Sequence, residues 1–178
     1  KLDGREGGRF AESKVGKVYR GLLPIKIGEL DVKQMPPLPF ELYLNLADPD
    51  KAFSYQFLPN HGVGLARIEF IITNMIGVHP KAILQLKKLQ PALRKKILAH
   101  TAAYASPQEY YIERLREGMA MIAAAFYPKH VIVRFSDFKS NEYANLMGGD
   151  LYEPHEENPM IGFRGTGRYI APLFADCF

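Results

Sequence analysis

The strongest constraint on this chain is a set of three short β-type runs separated by stretches with helical spacing. Glu41–Leu46 (ELYLNL) alternates polar and apolar residues at the period of a strand. Gly62–Arg67 (GVGLAR) and His130–Phe135 (HVIVRF) are two further short strand-like runs. Asp48 can cap a helix after the first run, and Pro49 suits its first turn. The apolar run Ile68–Ile76 follows the second. A helix is predicted near Pro91–Ala103. Another starts at Ser106-Pro107-Gln108-Glu109, where Ser and Glu have capping-box spacing. Ile112, Leu115, Met119, Ile122 and Phe126 mark one face of that helix at spacings of three and four. Strands separated by helices imply parallel β/α units. The chain has 178 residues, against about 250 for a closed eight-stranded barrel. It cannot close one, but it can be the first part of one.

Composition narrows the function classes. Apolar residues make up 47% and charged residues 24%, which excludes a disordered or collagen-like chain. The net charge of +4 suits an anionic small molecule. A nucleic-acid binder would rest on the basic balance alone, because no basic stripe with interleaved aromatics accompanies it. The single cysteine, Cys177, excludes a disulfide within the chain and fits a reducing cytosol. No run approaches the ~20 apolar residues of a membrane span, and Lys1–Arg9 is charged and glycine-rich, without an apolar signal region. The chain begins without methionine and stops at Asp176-Cys177-Phe178, which raises the expectation of a piece of something longer. Val15, Val18, Tyr19, Leu22 and Leu23 give residues 1–23 the pattern of the last strands of a small β-rich unit. Residues 24–39, with three prolines in Met35–Pro39, read as a stiff linker. Residues 40–178 hold the β/α pattern.

Two arginines sit at equivalent places, Arg67 at the end of GVGLAR and Arg134 near the end of HVIVRF. Strand ends on that side carry the active site in β/α barrels. A guanidinium there can grip a carboxylate or phosphate with two prongs. On spacing alone, surface or ion-pair roles fit them as well. Gly62 and Gly64 would let a ligand or backbone approach closely. The polar run Ser136–Tyr143 leaves the second of these strands. Asp137 or Glu142 could hold an arginine in place, although a solvated loop is the plainer reading. Asp150, Glu153, His155, Glu156 and Glu157 match no calcium loop and are expected to form a solvated acidic loop. Arg164, beside glycines, is a third candidate for anion binding, and Arg168 a weaker one. The five histidines include no His-x-x-x-His pair, and no G-x-x-x-x-G-K-[ST] loop is present. Cys177 reads as a small apolar residue.

Three segments carry a resemblance. They are Leu58–Phe70 (LPNHGVGLARIEF), Val131–Gly149 (VIVRFSDFKSNEYANLMGG) and Glu156–Gly165 (EENPMIGFRG), joined by MIGVHPKA at 75–82 and AAAFYPK at 123–129. Through them nearly the whole chain resembles the phosphoenolpyruvate synthase (pyruvate, water dikinase) family of PEP-utilising enzymes. That family converts pyruvate, ATP and water to phosphoenolpyruvate, AMP and phosphate through a phosphohistidine. The resemblance implies a cytoplasmic enzyme of gluconeogenic carbon supply. It implies the C-terminal end of a swivelling phosphohistidine domain over 1–23, a linker over 24–39, and over 40–178 about the first three units of a TIM-type (β/α)8 barrel. It matches Arg67 and Arg134 to the family's substrate-binding arginines, and Arg164 to a further arginine of the pocket. It places the phosphohistidine, the Mg2+ ligands and the proton-donating cysteine outside this chain, so no catalytic residue or metal ligand is expected within it. The implied partners are pyruvate or phosphoenolpyruvate, ATP in the full-length enzyme, the rest of the same polypeptide and a second copy in a homodimer. Neither nucleic acid nor membrane is implied. The isolated chain is expected to be inactive and to self-associate through its open sheet edge. The alternative is a non-catalytic module that binds phosphoenolpyruvate or another small anion.

Overall fold

A computed structural model of the chain describes residues 2–3, 17–18, 20–21, 28, 31, 35–158 and 162–178. The chain divides into two compact units, Lys1–Pro36 and Pro37–Phe178. In the first, β1 (Leu2–Asp3) pairs antiparallel with β2 (Lys17–Val18), Leu2 opposite Val18. The expected strand residues Val15, Tyr19, Leu22 and Leu23, and most of the linker up to residue 34, lie outside the described residues.

The second unit is built on a parallel sheet of β3 (Tyr43–Leu46), β4 (Gly62–Arg67) and β5 (His130–Arg134), in that order. All three predicted strands are present. β3 begins two residues later than the alternation predicts, and β5 ends one residue earlier, at Arg134. Each strand lies beside its predecessor with helices in the crossover, the usual economy of parallel sheets. The α/β class is therefore as expected.

The helices follow their local signals. Asp48 Oδ1 accepts the Asp50 amide at 3.1 Å, and a 3-10 turn at Pro49–Lys51 leads into α1 (Ala52–Tyr55). After β4, α2 (Glu69–Ile71) runs into a wide π-type turn, Ile72–Ile76, which stops at Gly77 with φ of 71°. The Tyr110 hydroxyl donates to the carbonyls of Met75 and Ile76 at that end (3.0 and 2.9 Å). Then come α3 (Pro80–Leu84), α4 (Pro91–His100), α5 (Pro107–Phe126), α6 (Ser140–Ala144) and α7 (Thr166–Tyr169). Ser106 Oγ accepts the Glu109 amide at 3.0 Å, the predicted cap of α5. α4 stops at His100 rather than Ala103. The Thr101 hydroxyl bonds back to the Ile97 carbonyl (3.0 Å), and the His100 ring reaches the Ile76 carbonyl (3.0 Å), as the chain turns away.

The core lies between α5 and the strands. Leu46, Val63 and Ala66 pack with Ile122, Ala125 and Phe126, and Val131 of β5 joins them. Ile132, next along β5, is largely exposed, as alternation requires when only one face is covered. A second cluster joins Ile68, Ile71, Ile72 and Ile76 to Tyr110, Phe138 and Tyr143. The predicted face of α5 needs one correction: Ile112 is 59% exposed. Gly118 takes a central place in the contact instead. A Cβ there would fall 2.8 Å from the Ile71 side chain, so the helix comes close through a missing side chain that an apolar pattern does not count. A parallel bridge between Val78 and Met147 was also not expected. One pair of residues leaves no periodic trace in a sequence.

Gly62 shows what its predicted close approach serves. Its φ is 139°, and a Cβ would overlap the His130 carbonyl of β5. The neighbour is backbone. Gly62→Ala is expected to lower stability by about 2–4 kcal/mol, from the φ strain and the displaced strand together. Chemical denaturation with an unchanged m-value is the check. A loss under about 0.5 kcal/mol would mean the strands tolerate separation here.

Candidate functional site

Arg67 closes β4 and Arg134 closes β5, and the two are direct partners in the strand register. Both therefore stand at the C-terminal rim of the parallel sheet. The rim opens into a cleft of about 540 Å³, also lined by Glu69 of α2, Asp137 and Lys139 of the loop after β5, Glu142 of α6, and Arg164. The structure thus brings Arg67, Arg134 and Arg164 to one cleft. Four cations (Arg67, Arg134, Lys139, Arg164) face three carboxylates (Glu69, Asp137, Glu142), which leaves the cleft at 4 − 3 = +1.

The three arginines are held differently. Arg67 is exposed and makes no hydrogen bond or ion pair among the described residues. Arg134 donates from Nη2 to Glu69 Oε1 at 2.5 Å, and its Nη1 lies 3.4 Å from Asp137 Oδ2. Arg164 grips Asp137 with two prongs, Nε to Oδ1 at 2.9 Å and Nη2 to Oδ2 at 2.7 Å. The Arg164 hydrogen bonds hold the Asp137 carboxyl below the usual carboxylate range. Partial burial opposes them, and Arg134 adds to the lowering. Of the two acids expected to steady an arginine, Asp137 does so. Glu142 instead accepts the Lys139 amide at 2.8 Å, at the start of α6.

Glu69 was quoted in the sequence motif but given no task there. It is nearly buried, and Oε1 accepts both Arg134 Nη2 and the Asp137 amide (2.8 Å). The available signal was a lone acid, two residues beyond a strand-ending arginine, inside the apolar run 68–76.

A second polar cluster lies behind the rim and corrects two expectations. Arg168 is not an anion-binding candidate: it is 1% exposed, between the rings of Tyr143 and Phe174 (4.3 and 4.2 Å). Its guanidinium pairs with both oxygens of Glu153, Nη1 to Oε2 at 2.8 Å. Glu153 is therefore buried rather than part of a solvated acidic loop, and only Asp150, His155 and Glu157 are exposed. Glu156 accepts the Phe163 amide at 2.7 Å. His79 completes the cluster. Its Nδ1 accepts the Lys81 amide at 3.1 Å, so Nε2 carries the proton and donates to Glu153 Oε1 at 2.9 Å. The ring is neutral. Burial lowers its pKa, with Glu153 opposing. For Glu153 itself burial raises the pKa, but hydrogen bonds from His79 and Arg168 outweigh it and hold the carboxyl low.

Cys177 is half-buried, its thiol pushed up to about 12 by burial and by neighbouring Asp176, which suits a packing residue. Among the described residues, no three His, Cys, Asp or Glu side chains stand together as ligands for a metal ion. No helix among them is long and apolar enough to cross a membrane.

The fold is that of an α/β domain whose cleft opens where its parallel strands end. Residues 29–175 match the model of the PEP-utilising enzyme family, PEP-binding domain, and the chain belongs to that family. It is 55% identical over 168 residues to phosphoenolpyruvate synthase of Escherichia coli (strain K12). It is 54% identical to that of Pseudomonas aeruginosa (strain UCBPP-PA14), and 51% identical to that of Neisseria meningitidis serogroup B (strain ATCC BAA-335 / MC58). Each match covers 94% of this chain and 21% of the relative, so the chain spans about a fifth of their length.

The buried cluster makes stability depend on pH in a definite direction. His79 and Glu153 both have folded-state pKa values below their ordinary ones, so the unfolded chain binds protons more readily. Their stabilisation is present above the ordinary pKa of each group and is lost as pH falls through the lowered one. For His79 the loss begins near pH ~6.5. The melting temperature is expected to fall between about pH 7 and pH 5, and His79→Gln to flatten that slope. An unchanged slope in the variant would remove His79 as its source.

Proposed function

We propose that the cleft is the substrate-binding wall of a phosphoenolpyruvate synthase, the enzyme that makes phosphoenolpyruvate, AMP and phosphate from pyruvate, ATP and water. The observation that carries the reading is the pairing of Arg67 with Arg134 at the ends of adjacent parallel strands, facing one cleft. Two guanidiniums side by side suit a ligand with charge on a phosphoryl group and on a carboxylate. Their proposed task is to hold the phosphoryl group as it passes between histidine and the pyruvate enolate, by electrostatic stabilisation of the developing charge. Arg164 is the third proposed contact, reached from the side where Asp137 holds it.

In this reading residues 40–178 are the first three units of a TIM-type barrel, and residues 1–23 close a swivelling phosphohistidine domain. ATP, the rest of the polypeptide and a homodimer partner complete a cytoplasmic enzyme. Mg2+ is its proposed cofactor, and no residue of this chain is assigned to it. Because the relatives are about five times longer, the 178-residue polypeptide alone is expected to bind phosphoenolpyruvate without converting pyruvate and ATP.

Calorimetry with phosphoenolpyruvate tests this. Arg67→Ala and Arg134→Ala are each expected to weaken binding about 10–100-fold, the loss of one charge-assisted contact of about 1.5–3 kcal/mol. Folding should be retained for Arg67→Ala, whose side chain is exposed. Binding that survives both substitutions, or that never occurs in the wild-type chain, would move the substrate site away from this rim.

A further inference from the structure

We propose that Glu69 is the positioning residue of the cleft, which sets Arg134 directly and Arg164 through Asp137. This rests on the reading of the cleft as the phosphoenolpyruvate site.

Four observations converge. Glu69 follows the strand-ending Arg67 by two residues, at the start of α2, and is 6% exposed. A carboxylate so placed has been taken out of water and needs specific partners. One of its oxygens, Oε1, takes two of them: Nη2 of Arg134 at 2.5 Å and the backbone amide of Asp137 at 2.8 Å. The first fixes the guanidinium at the end of β5. The second fixes the turn three residues later that carries the Asp137 carboxylate, and that carboxylate holds Arg164 at both prongs. Glu69 thereby ties Arg134 and the Asp137 turn to one atom, and Arg164 through the Asp137 carboxylate. The side chain of Arg134 is 39% exposed, and its other partner, Asp137 Oδ2 at 3.4 Å, belongs to the turn that Glu69 also holds, so without this anchor the guanidinium gains rotameric freedom beside a solvated cleft. Among the described residues, Glu69 Oε2 and Arg134 Nε are buried without a hydrogen-bond partner, so neither group has a second anchor at those atoms. A third consequence is electrostatic. The Glu69 charge offsets one guanidinium of the cleft and so lowers the repulsion between the two arginines that share the rim.

The role differs from a purely structural one in whom it acts through. A positioning carboxylate loses its value when the group it positions is removed, and a folding residue does not. The test is a double-mutant cycle on the full chain, with phosphoenolpyruvate as the titrant. Glu69→Gln keeps the shape and loses the charge. It is expected to weaken binding about 5–30-fold in the wild-type background, and equally in Arg67→Ala. In Arg134→Ala it is expected to add less than about 2-fold, because the glutamine carbonyl oxygen still accepts the Asp137 amide and leaves the Asp137–Arg164 arm in place. Thermal melting run alongside shows whether each variant is folded. Glu69→Asp, which keeps the charge and draws it back by one methylene, enters the same cycle and replaces Glu69→Gln if that variant does not fold. Equal further losses in the Arg67→Ala and Arg134→Ala backgrounds would overturn the proposal and leave Glu69 a folding residue. Glu69→Gln and Glu69→Asp binding like the wild type would also overturn it, with the phosphoenolpyruvate site intact. A wild-type chain that binds no phosphoenolpyruvate would overturn the site reading and this proposal with it.

Discussion

The geometry of the rim depends on how closely β4 lies against β5. At the near end, a glycine without a side chain lets the His130 carbonyl sit where a Cβ would be. Between Val63 and Ala66 the register shifts by one residue, and beyond that shift Arg67 stands opposite Arg134. Without the shift Arg67 would fall opposite Phe135, so the irregularity is what pairs the two arginines. What holds the register is the face beneath. Ile122, Ala125 and Phe126 of α5 bury Val63 and Ala66. Large apolar side chains buried this way contribute roughly 1.5–3 kcal/mol each. The helix cap at Ser106 and the strand-end arginines, far apart in sequence, are thus parts of one mechanical unit.

The strands, the capped starts of α1 and α5 and the α/β class could be read from the sequence, because each leaves a local periodic or chemical mark. So could the candidacy of Arg67, Arg134 and Arg164. Their partners could not. Nothing in the spacing of Glu69 and Arg134, 65 residues apart, says they touch. The same holds for His79 and Glu153, and for Arg168, read as a weaker candidate for anion binding but buried by the fold against Glu153. A buried ion pair is a property of two segments brought together by the fold. Ile112 failed for the converse reason: the apolar spacing was right, but the contact was made through Gly118, which scores as nothing in a hydrophobic pattern.

In the proposed anion site the three arginines would divide the work unequally. Arg134 and Arg164 are already neutralised by Glu69 and Asp137, and so arrive oriented. Arg67 has no such partner among the described residues and so keeps its full field for a ligand. Orientation limits the entropy lost on binding, while an unshared charge supplies attraction. A site with only shared cations would be well shaped and weak. One with only free cations would repel itself. The buried His79–Glu153–Arg168 cluster supports this from behind, since Arg168 lies four residues from Arg164 on the same segment.

Like charges directly across a strand pair push the strands apart. β4 and β5 carry such a pair at their last rungs, and β5 has no further strand beside it among the described residues. Glu69 offsets the Arg134 charge but Arg67 keeps its own, so these last rungs are expected to open first and their amides to exchange first with solvent. In the proposed site, an anion lodged between the two guanidiniums would act as a counter-ion that closes the end of the ladder. Occupancy and local order would then be one equilibrium, with the rim a soft edge that its ligand stiffens.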